Sequence, residues 1–108
     1  MNTTQFENRL GKRIRAIITR RRYRRQPNTP IEITKEEIET VTEVTGGILS
    51  EIQEWARETG LGRDAIKDLV ERVVRAPDYP GWDRIIEDPV LFFANRGINS
   101  ICDRYKIE

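Results

Sequence analysis

The chain of 108 residues is short enough to form a single domain, and it contains no histidine and a single cysteine, Cys102. This composition excludes a zinc site of cysteine and histidine ligands, catalysis by a nucleophile paired with histidine, and an internal disulfide bond. The net charge of +1 conceals a strong asymmetry, since residues 1–25 hold nine basic residues and one acidic residue, whereas the remaining chain holds ten basic and 17 acidic residues.

Residues 4–25 predict a basic amphipathic helix that continues into an arginine-rich run. Its apolar residues recur at helical spacing and form one stripe, which consists of Phe6, Leu10, Ile14, Ile17 and Ile18. Pro27 and Pro30 follow the run, and two prolines so close together end any helix. We therefore predict a basic N-terminal helix or arm over residues 1–26 and a helical domain over residues 31–108.

The domain is predicted to be all-α and to begin with a helix at Thr34. Thr34 and Glu37 have the spacing of a capping box, in which the side chain of each residue binds the backbone amide of the other. We expect this helix to end or bend at Gly46 and Gly47, because glycine is unfavourable inside a helix.

The last part of the chain, over residues 82–106, is predicted to form further helices. Asp88 and Pro89 are residue types preferred at the N-cap and the first position of a helix, so we expect a helix to start there. Gly97 predicts a stop. The four consecutive apolar residues 90–93 cannot all face the core from one helix, which places one or two of them at a junction or in contact with another molecule.

Residues 52–74 resemble the helix-turn-helix motif of DNA-binding proteins. Gly60 stands where a left-handed residue with positive φ is expected to end the first helix and form the turn. The other residues that carry the resemblance are Ala56 at the expected helix crossing, Leu61 beside the turn, and Ile66 and Leu69 on the second helix. The resemblance implies a helix-turn-helix unit at about residues 48–75, whose second helix enters the major groove of DNA.

The residues that the resemblance implies as DNA contacts of the second helix are Arg63, Asp64, Lys67 and Arg72. The outward face of this helix also carries Asp68 and Glu71, and an acidic bias opposes the approach of phosphates. Gly62 stands where such motifs often have a serine or threonine cap. An ordinary helical hairpin with a solvated charged face is the alternative interpretation.

The arginine-rich run contains the densest group of candidate nucleic-acid contacts. Arginine forms paired hydrogen bonds with phosphate oxygens, and tyrosine stacks on bases. The candidates are Arg13, Arg20, Arg21, Arg22, Tyr23, Arg24 and Arg25. An acidic protein surface, including that of a neighbouring copy, fits the same residues. An anionic membrane surface also binds basic amphipathic helices, but the apolar stripe is short and lacks tryptophan, so we expect no membrane partner.

The sequence favours a small DNA-binding protein without enzymatic activity, such as a transcriptional or mobile-element regulator or a phage DNA-packaging subunit. We expect it to bind duplex DNA in preference to RNA, as a homodimer or higher oligomer, without metal or cofactor. No apolar run approaches the ~20 residues of a membrane span and no signal peptide is evident, so a cytoplasmic location is expected. The alternative is an assembly or inhibitory module, such as a virion component or an inhibitor of a nucleic-acid-handling complex, whose basic arm docks on an acidic partner or on RNA.

Overall fold

The computed structural model describes residues 1–21, 34–76 and 84–108, and these ranges form four α-helices. The helices are α1 (Thr3–Arg21), α2 (Lys35–Thr59), α3 (Arg63–Val74) and α4 (Arg84–Tyr105). No strand occurs in these ranges, and the prediction of an all-α fold is confirmed. The predicted linker with its two prolines lies outside the described residues.

The four described helices surround one shared core. The long helix α2 lies between α1 and α4, while α3 packs against both α1 and α4 on the other side. Two ion pairs show that α1 runs antiparallel to α2, because Arg9 meets Glu51 and Arg21 meets Glu39. In this arrangement α1 and α4 lie diagonally opposite each other.

Helix α4 runs parallel to α2 and antiparallel to α3. The contacts that establish these directions pair Leu49 with Gly97 and Arg57 with Tyr105 on the α2 side, and Arg63 with Asp103 and Arg75 with Asp88 on the α3 side. The N-terminal ends of α1 and α3 therefore lie at the same end of the molecule as the C-terminal ends of α2 and α4.

The apolar stripe of α1 is part of the shared core. Phe6, Leu10 and Ile14 are at most 1% exposed and belong to one apolar cluster with residues of the other three described helices. Burial of each such side chain stabilises the fold by roughly 1.5–3 kcal/mol, which ties the helix to the body despite its charged outer side. Residues 3–21 of the predicted arm thus pack in one core with helices of the predicted domain.

Helix α2 was predicted to end or bend at Gly46 and Gly47, and it does not end there but continues through both. Helix α1 crosses α2 at Gly47, where an added Cβ would lie 2.8 Å from Cδ1 of Ile17 and 3.2 Å from Cγ of Arg13. The two helices can approach closely only because Gly47 has no side chain. The packing gained in this way outweighs the penalty of about 1 kcal/mol for glycine within a helix.

Helix α4 also continues through two positions where a boundary was predicted. Gly97 lies within it, at a close approach to Leu49 of α2, and Pro89 lies within its second turn, since the helix begins at Arg84 instead of at Asp88. The predictions of a start at Asp88 and a stop at Gly97 are therefore wrong. The packing of α4 against α2 and α3 compensates for the helical hydrogen bond that is lost because proline has no amide hydrogen.

The capping signals at the two ends of α2 are confirmed. Oγ1 of Thr34 accepts a hydrogen bond from the Glu37 amide, and the Glu37 carboxylate accepts one from the Thr34 amide, both at 3.2 Å. Gly60 ends the helix with a left-handed backbone, at φ 71°. Gly62 then precedes α3 without a side-chain cap. These local signals need no knowledge of the neighbouring helices.

Candidate nucleic-acid interface

The solvent side of α1 presents a continuous group of basic side chains. Because apolar residues occupy the opposite side of this helix, the basic residues between them project away from the core. We call this surface the α1 basic face, and it consists of the exposed residues Arg9, Lys12, Arg13, Arg15 and Arg20. The acidic residue of α1, Glu7, is half-buried and pairs with Arg72 of α3.

Carboxylates of α2 neutralise the edge of the α1 basic face that lies nearest to them. The buried Glu51 accepts a hydrogen bond from Nε of Arg9 at 3.3 Å, and the Arg9 guanidinium lies 4.6 Å from the centre of the Trp55 ring. Farther along the same edge, Glu43 pairs with Arg20. Arg9 and Arg20 therefore remain exposed but share their charge with carboxylates.

Arg21 links α1 to α2, and its hydrogen bonds to α2 make it less available to a ligand than an exposed arginine. Its half-buried guanidinium donates hydrogen bonds to Glu43 at 2.9 Å, to Glu39 at 3.3 Å and to the hydroxyl of Thr40 at 3.2 Å. These bonds use the donors with which a guanidinium would grip a phosphate. We therefore assign Arg21 to the stability of the α1–α2 contact.

Lys12 and Arg13 are the cations of the α1 basic face with the most freedom to bind an anion. Both are exposed, and neither pairs with another residue within the described ranges. They border an open depression of about 380 Å³ that is also lined by Arg9, Ala16 and Glu51. An anion in this depression would meet two unneutralised side chains. The further candidates Arg22, Tyr23, Arg24 and Arg25 follow α1 in sequence and lie outside the described residues.

The N-terminal end of α3, where a recognition helix would read bases, is covered by residues that follow α4. The Arg63 amide donates to the backbone oxygen of Glu108 at 2.8 Å. The Arg63 guanidinium pairs with Asp103 at 2.5 Å and donates to the carbonyl of Ile107 at 3.3 Å. The hydrogen bond that the guanidinium donates to Asp103 raises the pKa of Arg63 above its ordinary value. Arg63 thus has a structural role at the α3–α4 contact.

The other predicted contacts of α3 are not brought together into one basic surface. Arg72 pairs with Glu7 of α1 at 3.2 Å, Lys67 is half-buried, and the exposed Asp64 is acidic. The side of α3 that faces solvent therefore offers little attraction to phosphate. In contrast, the α1 basic face combines exposure with one sign of charge.

The predicted helix-turn-helix unit is not confirmed, although the turn at Gly60 has the predicted conformation. In that motif the second helix packs on the first and presents its outer side to DNA. Here α2 and α3 each have their main packing against α1 and α4. The apolar residues of α3 that carry the resemblance, Ile66 and Leu69, are buried in the core that all four described helices share.

The ion pairs between α1 and α2 were not predicted, although the sequence of α2 contains a pattern that indicates them. Glu39, Glu43, Gly47 and Glu51 follow one another at intervals of four residues and so lie on one side of α2. With Gly47 at the crossing point, an antiparallel α1 brings its arginines to these carboxylates. The sequence alone does not reveal which helix meets this side of α2.

The structure weakens the interpretation of α1 as a membrane-binding helix. An amphipathic helix binds a bilayer with its apolar side, and in this protein that side of α1 is buried in the core. Among the described helices, none is both long enough and apolar enough to cross a membrane. The basic side chains of α1 are the part of the helix that remains available.

The described residues contain no cluster of three or more side chains that could hold a metal ion. Cys102 is fully buried, and this burial raises the pKa of its thiol, which keeps the thiol protonated and poorly reactive at neutral pH. No family model matches the chain, and neither a curated protein nor a solved structure is significantly similar to it.

Proposed function

We propose that the chain is a small nucleic-acid-binding protein that contacts the phosphates of duplex DNA through the α1 basic face and the arginine-rich segment after α1. The observation that carries this proposal is the display of five basic side chains along the exposed side of one packed helix. Cations held in this way bind phosphates and release counterions from the nucleic acid, which favours association without base contacts. The sequence after α1 adds residue types that bind phosphates and stack on bases, namely Arg22, Tyr23, Arg24 and Arg25.

The proposal places the interface on α1 and not on α3. Ion pairs within the protein engage Arg63 and Arg72, and Asp64 adds a negative charge to the same helix. Phosphate contacts position a protein on DNA but carry no sequence information. Binding that is largely independent of sequence is therefore expected, which favours a role in DNA packaging over sequence-specific regulation.

A second candidate function is docking on an acidic protein surface. It is favoured by the pairs that Arg9 forms with Glu51 and Arg20 forms with Glu43, because these show the α1 basic face in contact with carboxylates. A partner that supplies carboxylates on the opposite side of Lys12 and Arg13 would extend the same pattern. RNA is the corresponding alternative among nucleic acids, since its phosphates offer the same charge.

The proposal is tested by fluorescence anisotropy with a labelled random-sequence duplex and the full chain. The decisive variant combines Lys12→Gln with Arg13→Gln, and the matched control combines Arg104→Gln with Lys106→Gln, which removes the same charge from exposed positions elsewhere. We expect the α1 variant to bind about tenfold more weakly. Its slope of log K against log salt should be shallower by roughly 0.9 for each phosphate that the variant no longer neutralises.

The control variant should bind as the unmodified chain does. Equal weakening of both variants would show that net charge alone drives the association and would contradict an interface on α1. Failure of duplex to bind at low salt, together with binding of an acidic polypeptide, would replace the proposal by the second candidate function.

A further inference from the structure

Helix α4 carries two large apolar side chains on its solvent side. Phe92 is 58% exposed and Phe93 is 50% exposed, although the preceding Val90 and Leu91 are buried. The two rings pack edge to face with their centres 5.2 Å apart, so they form one connected apolar patch. Exposed apolar residues that cluster in this way mark contact surfaces more often than isolated ones do.

Side chains of opposite charge flank this patch, one helical turn away on either side. Asp88 precedes Phe92 by four residues and Arg96 follows it by four, so all three lie along one side of α4. Both charged residues are exposed. The Arg96 guanidinium lies 5.8 Å from the centre of the Phe92 ring, and it forms no ion pair with the rest of the described chain. We call Asp88, Phe92, Phe93 and Arg96 the α4 ridge.

At the acidic end of the α4 ridge, carboxylates outnumber the basic groups that pair with them among the described residues. Arg75, at the C-terminal end of α3, donates to Glu71 at 3.3 Å, to Glu87 at 3.2 Å and to Asp88 at 3.1 Å. Within the described part of the chain, these three carboxylates share this one guanidinium. A second cation near these carboxylates would be favourable. Arg96, at the basic end of the ridge, is a cation that pairs with no carboxylate of the described chain.

We propose that the α4 ridge is the contact between two copies of this chain, with their α4 helices antiparallel about a two-fold axis at Phe92. A two-fold axis makes each position before Phe92 face the equivalent position after Phe92 in the other copy. Arg96 of each copy then lies opposite Asp88 of the other, and the phenylalanine rings of both copies meet between these pairs. Aromatic residues at the centre and charged residues around them are the arrangement that protein contacts commonly have.

The charges favour a second copy over a different protein as the partner. A ridge with one sign of charge would repel its own copy, whereas this ridge is complementary to itself when reversed. The small apolar patch implies a weak dimer that depends on concentration. Since α1 lies diagonally opposite α4, the contact leaves the α1 basic face exposed, and the dimer and the nucleic-acid interface can be tested independently.

The test is sedimentation velocity of the full chain over a range of concentrations, with two charge-inverted variants. Asp88→Arg and Arg96→Glu each place two like-charged pairs in the antiparallel dimer, so each should raise the dissociation constant at least about tenfold. An equimolar mixture of the two variants restores both pairs of opposite charge in a mixed dimer. We therefore expect the mixture to dimerise where neither variant does alone.

Arg104→Glu, which inverts an exposed charge on α4 outside the ridge, is the matched control and should dimerise normally. Phe92→Ser tests the ridge without disturbing Arg75, and should also weaken the dimer, while circular dichroism verifies that each variant is folded. A monomeric unmodified chain at all concentrations would overturn the proposal. Mixed variants that remain monomeric, or a Phe92→Ser variant that dimerises normally, would overturn it as well.

Discussion

At Gly97, the lack of a side chain determines how closely α4 approaches α2. An added Cβ would lie 2.5 Å from both methyl carbons of Leu49 and 3.0 Å from its Cγ. Overpacking of this kind destabilises a protein by about 1–3 kcal/mol. The higher helix propensity of alanine offsets up to ~1 kcal/mol of this loss. We expect Gly97→Ala to lower the free energy of unfolding by about 1–2 kcal/mol, measured by urea unfolding.

Gly46 provides the control for this prediction. It lies within α2, and an added Cβ there would have no described atom within 4 Å beyond its own helix and chain neighbours. Gly46→Ala should therefore raise the free energy of unfolding by about 0.5–1 kcal/mol. A stabilising effect of both substitutions would show that Leu49 adjusts without penalty and that close packing at Gly97 does not matter.

The cap at Thr34 governs the start of α2 through two reciprocal hydrogen bonds. Thr34→Ala should lower the free energy of unfolding by about 0.5–2 kcal/mol, the range measured for such caps. The matched control is Thr42→Ala in the same helix, where the exposed hydroxyl only donates to the Ile38 carbonyl at 2.9 Å. This second change should be neutral or slightly stabilising, because alanine has the higher helix propensity.

Chemical denaturation of both threonine variants distinguishes the cap from a general effect of removing a hydroxyl group. Equal losses of stability for the two would contradict the capping role of Thr34. A Thr34 variant as stable as the unmodified chain would also contradict this capping role.

Element boundaries could be predicted where a side chain acts on its own helix, and not where a neighbouring helix intervenes. The cap at Thr34 and the left-handed end at Gly60 are local, and the sequence predicts both correctly. Gly47 and Gly97 have the residue type of a break, but each lies where another helix comes close. A glycine in the sequence is compatible both with the end of a helix and with a close contact between two helices. Only the position of the neighbouring helix decides between them.

The sequence reveals the charge asymmetry of the chain but not which basic residues form ion pairs within the fold and which remain exposed. Arg13 remains an exposed candidate contact, whereas Arg20 and Arg21 pair with α2 carboxylates and Arg63 with Asp103. These pairs join residues far apart in sequence, so their formation depends on the order and direction of the packed helices. Lys12, outside the predicted contacts, is exposed beside Arg13 because the opposite side of α1 is buried.

Chemical-shift mapping with duplex DNA would locate the nucleic-acid interface residue by residue. Proton–nitrogen correlation spectra of the labelled full chain would be recorded while a random-sequence duplex is added. We predict that the largest shifts fall on the exposed positions of residues 8–20 in α1, with little change at residues 63–67. Largest shifts at residues 63–67 would contradict an interface on α1 and restore α3 as the recognition helix.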